Sequence, residues 1–438
     1  MGSSFHGGIH PPENKGATRD LEFVNLPVPH TCYIPLQQHI GAPAKPVVQA
    51  GDGVTEGQLI AAADGFISAN VHSSIPGKVL DIAPRPTVNG MHPTIIIEAE
   101  GSFAASAGGQ EASDWSGLDA ATILNAIREA GIVGLGGAAF PTSVKLTPPP
   151  AKKIDTLIIN GAECEPYLTV DDMLMRTFPD AIIEGTLITM KALGIGRAII
   201  GVEDNKKDAY RALRDARTAA DPEGRIKVKQ LRTKYPQGAE KQMIRALMRR
   251  FVPSGGLPMD VGVVVQNVGT VFAIREAILL GRPLFSRYLT VGGGAIERPG
   301  NYKVRIGTRL ADIVEECGGF RERPARVVIG GPMCGISVHD MEIPVVKGTS
   351  GILFLTGREV SLADYAPCIR CTKCVLACPV GLMPCDLGSA VEKGRLDLFE
   401  GMNPFDCIMC GSCAYVCPAR RPLSHFIKLG QQRLRAKK

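Results

Sequence analysis

The spacing of apolar residues along this chain changes several times, and each change predicts a different kind of element. From about Leu36 to Glu98 short apolar runs alternate with polar residues between glycines, as in Gly51-Asp-Gly-Val-Thr-Glu-Gly57-Gln-Leu-Ile-Ala, Ile67-Ser-Ala-Asn-Val71 and Ile75-Pro-Gly-Lys-Val79. A period of two broken by glycine predicts short strands and tight turns. Residues 101–114, rich in Ser, Ala, Gly and Gln, predict a flexible linker. Beyond them the period lengthens. Ile123, Leu124 and Ile127 share one face of a helix that Asp119 caps. Ala181 to Leu193, 205–218, 239–250 and Thr270 to Leu280 also read as helices. Between them lie short apolar runs at Thr156–Ile159, Ala198–Val202, 226–231 and Val261–Val265. Strands alternating with helices predict a mostly parallel sheet whose ligands sit at the C-terminal strand ends. A smaller unit follows, with strands at 288–291 and Arg326–Ile329, a Gly292–Gly294 turn and a helix at about 309–316.

The two ends break these patterns. Residues 1–30 are rich in Gly, Pro and His (His6-Gly-Gly-Ile-His10-Pro-Pro) and predict an extended arm that covers another part of the protein. Near the other end, Cys368-Ile-Arg-Cys371-Thr-Lys-Cys374-Val-Leu-Ala-Cys378-Pro379 is repeated as Cys407-Ile-Met-Cys410-Gly-Ser-Cys413-Ala-Tyr-Val-Cys417-Pro418. Each half is C-x2-C-x2-C-x3-C-P, the spacing of a two-cluster ferredoxin, in which the fourth thiolate of each run ligates the other [4Fe–4S] cube. This pairs Cys368, Cys371 and Cys374 with Cys417, and Cys407, Cys410 and Cys413 with Cys378. Zinc sites favour two separated ligand pairs, often with His. Disulfides suit small secreted domains, and no apolar signal segment follows Met1. Cys385 lies outside both runs and is expected to be a buried small residue.

Composition adds limits. With 438 residues, 45% hydrophobic and 21% charged, the chain is long enough for several soluble globular domains. A net charge of +6 is too small to argue for nucleic acid, and the basic residues from Arg420 to Lys438 are expected to form a solvated tail. No run approaches the roughly 20 apolar residues that a membrane-spanning helix needs, so a cytosolic or membrane-peripheral protein is expected.

Candidate chemistry outside the cysteine runs collects at strand exits. Gly131-Ile-Val-Gly134-Leu-Gly136-Gly137-Ala-Ala-Phe140 follows a helix, unlike a Rossmann fingerprint, but its glycines let backbone N–H groups approach a phosphate or a planar ring. Lys145 lies just beyond as a candidate phosphate partner. Asn160-Gly-Ala-Glu163-Cys164-Glu165-Pro-Tyr167, Tyr235-Pro-Gln-Gly238-Ala-Glu240 and Gln266-Asn267-Val-Gly-Thr270 each leave a strand with polar groups.

Two resemblances follow from these residues. The Gly51–Val79 stretch resembles the barrel-sandwich hybrid of biotinyl and lipoyl carriers, although Ala62-Ala-Asp-Gly65 has no Lys where those carry their prosthetic group. From the His6–His10 arm to the paired cysteine runs, the chain resembles the C subunit of the Rnf (Rsx) complex, a membrane-bound ferredoxin–NAD oxidoreductase. Its middle half is similar to the flavin-bearing subunit of respiratory NADH dehydrogenase, with Cys164 in place of Ser and Gly269 in place of an acidic residue. The resemblance implies an arm at 1–30, a barrel-sandwich hybrid at 31–102, an FMN- and NAD(H)-binding Rossmann-like α/β domain at 115–285, a β-grasp module at 286–344, an α-helical two-cluster ferredoxin domain at 360–430 and a basic tail at 431–438. It implies non-covalent FMN held by Gly134, Gly136, Gly137, Lys145, Asn160, Glu163, Cys164, Tyr235, Gly238, Asn267 and Thr270, with NAD(H) stacked on the flavin. Hydride would pass between NADH and FMN, and single electrons through the two clusters, with Glu163 or Glu165 positioning the nicotinamide. The implied setting is the cytoplasmic side of a bacterial inner membrane, beside integral membrane and flavin or iron–sulfur subunits, with ferredoxin or flavodoxin as indirect partner. A diaphorase subunit of a soluble NAD-linked hydrogenase or formate dehydrogenase, or a non-enzymatic iron–sulfur scaffold, are the alternatives.

Overall fold

The computed structural model of the protein describes residues 3–100, 114–361 and 363–437, so most of the 101–114 linker lies outside the described residues. The alternating segment forms two small sheets. One runs Thr31–Pro35, Gly90–Ala99, Gly77–Thr87, Gly53–Val54, and the other Lys45–Pro46, Leu59–Ala62, Val71–His72. Period-2 alternation sends Ile34, Ile60, Val79, Ile95 and Ile97 into one shared core.

The α/β unit begins with helix α1 (Ala120–Glu129), whose first turn Asp119 caps by accepting from Thr122 N at 2.7 Å. It continues through β1 (Thr156–Gly161), α2 (Val170–Thr177), α3 (Pro179–Leu193), β2 (Ala198–Glu203), α4 (Lys207–Ala220), β3 (Ile226–Leu231), α5 (Glu240–Met248), β4 (Val263–Asn267) and α6 (Val268–Leu280). All strands are parallel, in the order β3-β2-β1-β4. Both faces are covered, so the strands are apolar throughout. Leu157, Ile159, Ile200 and Val264 enter one core with the helices, while Ile158, Ile199, Val263 and Val265 enter a second core with α5.

The third sheet departs from the sequence boundaries. Its order is Phe23–Asn25, Gly300–Arg305, Ser286–Gly292, Gly351–Leu355, Arg326–Ile329, Ile336–Val338. One edge therefore comes from the arm at 1–30, and an inner strand lies beyond residue 344. The inner strand is buried on both faces, so it shows no alternation that would mark it in the sequence. The arm also bridges Ser3 to Leu231 at the edge of β3.

The last unit is helical around the cysteine runs. The basic end is not a free tail. Leu423–Lys437 is one helix, and Leu423, Ile427 and Leu434 on it are buried at helical spacing. Gln431 Nε2 donates to Pro404 O at 2.8 Å, and Arg435 lies over the Phe405 ring.

One buried cation ties three units together. Lys347 is fully buried, and its Nζ donates to Asn70 O at 2.5 Å and Gly131 O at 2.7 Å, while its own N–H donates to Gln38 Oε1 at 3.1 Å. Burial pulls its pKa from 10.5 down to about 7. Between those values the unfolded chain holds a proton that the folded chain lacks, so this group makes stability rise with pH from about 7 to 10.5. Thermal melts between pH 7 and 10 should show a shallower rise of Tm in Lys347→Met than in the unaltered chain. An identical slope in both would assign the proton to another group.

Candidate functional site

The strand order reverses between β1 and β4, and such a reversal opens a crevice at the C-terminal strand ends. Asn160 and Asn267 face each other across it in register. Asn160 accepts from Ala162 N at 3.0 Å and donates to Gly238 O at 2.8 Å, which draws the loop after β3 onto the end of β1. The fit there is tight, since a Cβ on Gly238 would stand 2.5 Å from Ala162 O. Gly238 N donates to Cys164 Sγ at 3.2 Å. Asn267 caps α6 by accepting from Gly269 N at 2.8 Å, and its Nδ2 donates to Asp171 Oδ2 at 2.7 Å.

The glycine loop closes on the same crevice. Gly134 N donates to Phe140 O at 2.8 Å, and Leu135 N donates to the buried Thr270 Oγ1 at 3.0 Å. Gly136 lies against Asn267, 3.4 Å from a built Cβ to the Asn267 Cβ. Gly137 has φ +112°, with open space where a side chain would stand. Lys145 does not stand free, because it pairs with Glu240. The structure thus gathers Gly134, Gly136, Asn160, Cys164, Gly238, Asn267 and Thr270 around one crevice.

The residues present fit a polar ligand. Both side-chain polar atoms of Gln237, in the loop between Tyr235 and Gly238, are buried without a hydrogen-bond partner in the chain, as are Thr142 Oγ1 and Gln266 Nε2. Buried polar groups are seldom left unpaired in a folded protein, so these atoms suit a bound group that supplies partners.

Behind the crevice lies a buried ionic network that sequence reasoning missed. The Glu163 carboxylate accepts from Asp171 N at 2.8 Å and Asp172 N at 3.4 Å, in the first turn of α2. Lys15 Nζ stands 3.7 Å from Glu163 Oε2 and donates to the carbonyls of Glu163 at 2.7 Å and Leu168 at 2.5 Å. Burial pushes the Glu163 carboxyl up to about 7 and raises that of Asp171, and burial with the nearby Lys206 lowers the Lys15 ammonium. Burial also opposes the charge on Lys206, but Glu203, paired at 2.6 Å, and Glu163 outweigh it and hold its pKa above the usual lysine range. Lys15 comes from the arm, so no local pattern links it to a carboxylate 148 residues away.

Two sequence-derived candidates turn away from the crevice. The Glu165 carboxylate accepts from Met333 N and Cys334 N, both at 3.0 Å, and Tyr235 OH donates to Cys410 O at 2.7 Å. Both residues face the cysteine region.

The cysteines fall into two groups. Cys368, Cys371, Cys374 and Cys417 line one pocket. Cys378, Cys407, Cys410 and Cys413 lie close enough to disturb one another electrostatically. Burial raises the Cys407, Cys410 and Cys413 thiols, Cys407 to about 11, and neighbouring sulfurs including Cys378 add to the rise. Among the described residues no three such groups converge tightly enough for a single metal ion. The first group lines a small pocket, and four thiols per group are the donor set of an iron–sulfur cube. Amides reach the sulfurs too, from Arg370 N to Cys368 Sγ at 3.4 Å and from Leu382 N to Cys378 Sγ at 3.3 Å. Cys385 departs from expectation. It is only partly buried, it lines the first pocket beside Cys374, and its position at the start of the Pro384–Glu392 helix turns it there.

Comparison with known proteins agrees with this layout. Residues 3–102 match the RnfC barrel sandwich hybrid domain, 127–276 the Nuo51 FMN-binding domain, 288–337 the SLBB domain and 367–420 a 4Fe-4S dicluster domain. The chain is 46% identical to the C subunit of the proton-translocating ferredoxin:NAD(+) oxidoreductase complex of Clostridium ljungdahlii, covering 98% of this chain and 93% of that one. It is 44% identical to the Na(+)-translocating counterpart of Acetobacterium woodii, covering 99% and 98%. It is 42% identical to the C subunit of the ion-translocating oxidoreductase complex of Rhodobacter capsulatus, covering 90% and 76%. Among solved structures, an NAD+-reducing [NiFe]-hydrogenase in the air-oxidized state shares the fold, with a TM-score of 0.51 and 22% identity over 70% of this chain and 63% of that one. With identities of 42–46% along nearly its whole length, the chain belongs to the RnfC family, the C subunits of ion-translocating ferredoxin:NAD(+) oxidoreductase complexes.

Proposed function

We propose that this chain is the NAD(H)-oxidising and NAD(+)-reducing subunit of such a complex, linking NAD(H) to one-electron carriers of ferredoxin or flavodoxin level. The observation that carries the reading is the loop from Tyr235 to Gly238, which has Gly238 in the crevice and Tyr235 on a cluster ligand. FMN, when bound, supplies the conversion between the two-electron chemistry of NAD(H) and the one-electron chemistry of iron–sulfur clusters. Gly134, Gly136, Gly137, Asn160, Gly238, Asn267 and Thr270 would hold it, with Cys164 backing the loop, while Lys145 would have to exchange its pair with Glu240 for the phosphate. Glu163 fixes the start of α2 from behind the crevice, and through that helix it would help to position the nicotinamide. Cys368, Cys371, Cys374 and Cys417 would hold one cube, and Cys407, Cys410, Cys413 and Cys378 the other.

No helix among the described residues is long and apolar enough to cross a membrane. Attachment to the cytoplasmic face of the membrane is proposed to run through integral subunits of the complex.

Three measurements test the proposal. Purified chain should reduce an artificial dye with NADH while holding about one FMN and about eight irons. Iron near two atoms, or zinc in its place, would refute the cluster reading. Cys378→Ala should deplete the cluster of Cys407, Cys410 and Cys413 and spare the other, as read by iron content and electron paramagnetic resonance. Gly136→Leu should expel flavin by filling the space beside Asn267, with NADH–dye activity falling by at least tenfold. Full flavin occupancy in that variant would move the site elsewhere.

A further inference from the structure

The loop that joins the crevice to the cysteine region ends in an unusual set of contacts. Tyr235 is 2% exposed, and its hydroxyl stands 2.7 Å from Cys410 O, 2.9 Å from Cys334 Sγ and 3.2 Å from Glu165 Oε1. A phenol has one hydrogen to donate. The shortest contact is to the carbonyl of Cys410, so the O–H is assigned there, while between the phenol oxygen and Cys334 Sγ either atom can donate. Glu165 Oε1, which also accepts from Cys334 N at 3.0 Å, is the more distant alternative acceptor at 3.2 Å.

Every neighbouring element holds this geometry. Ile9 and Tyr235 exchange backbone hydrogen bonds at 2.8 and 2.9 Å, and Gly8 N donates to Ala377 O at 2.9 Å, one residue before Cys378. The Met333 carbonyl abuts the second cysteine run so closely that a Cβ on Gly411 would lie 2.7 Å from it. Ile9, Tyr235, Ala377 and Cys410 form one buried apolar cluster, with Cys164 and Met333 packed on it. The Tyr235 ring and the ligand Cys410 are both buried, so a fixed dipole between them acts through a lowered dielectric.

We propose that Tyr235 is a positioning residue whose O–H sets the reduction potential of the cluster held by Cys378, Cys407, Cys410 and Cys413. This rests on the function proposed above. An added electron makes that cluster more negative, and the positive end of the O–H dipole, aimed at a ligand's carbonyl, stabilises the reduced form. Hydrogen bonding around the ligands is one of the ways in which a protein tunes such potentials. The short step from Tyr235 to Gly238 then places this control within one loop of the nucleotide crevice.

Tyr235→Phe deletes the O–H and keeps the ring. In redox titrations of the purified full chain followed by electron paramagnetic resonance, the transition missing from Cys378→Ala should move to a more negative potential, and the other should stay. Cys334→Ala, which removes the sulfur beside the phenol oxygen, should move the same transition in the same direction by less, and it decides the matter if Tyr235→Phe fails to assemble. Unmoved potentials with full iron content, or equal shifts of both transitions, would overturn the inference. Flavin and iron are assayed on the same samples: their absence from the unaltered chain refutes the proposed function, while cofactors present with unmoved potentials refute only the role of Tyr235.

Discussion

A lysine ammonium taken out of water needs an acceptor for each proton, and Lys15 finds its acceptors only inside the α/β unit. The carbonyls of Glu163 and Leu168 and the Glu163 carboxylate supply them. That single demand pins the arm, and the arm then touches every other part of the structure it passes. Before Lys15 it pairs with Tyr235 and reaches Ala377, and after Lys15 it becomes an edge strand of the six-stranded sheet. A segment too polar to fold alone is thereby ordered by contacts with units distant in sequence.

The same demand shapes the crevice. Glu163 is held between Lys15 and the otherwise unpaired amides at the start of α2, so a buried carboxylate replaces the solvent that would otherwise cap that helix. Asp171 in that first turn takes the amide of Asn267, and Asn267 in turn caps α6 and abuts Gly136. Each of these contacts holds the next in place, so the strand ends keep a fixed shape. Among the buried atoms left without a partner, those on Gln237, Gln266 and Thr142 belong to the residues beside the crevice.

Much of this was legible in local sequence. Asp119 announced its helix, the apolar runs at 156–159, 198–202 and 226–231 announced their strands, and the paired cysteine runs announced both thiol groups. Helix α2 was not legible, because its capping carboxylate lies seven residues before its first residue and its lysine partner lies in the arm. Gly351–Leu355 was hidden for a different reason, since a strand buried on both faces has no period to detect. The basic end was misread because its charges mask the spacing of Leu423, Ile427 and Leu434.

The sequence by itself determined the kind of most elements and the chemistry of the cysteine runs, because helical and strand periods, caps and thiol spacing are set by residues within a few positions of one another. Only the tertiary structure decided how those elements are joined. Tyr235 and Glu165 leave strands as candidates for the crevice, yet they face Cys410 and the 333–334 loop. Lys347 ties Asn70 to Gly131, and Lys15 closes on Glu163. In each case a buried polar group is satisfied by a partner more than a hundred residues away, and such pairings are fixed by the packing of whole units and leave no trace in local sequence.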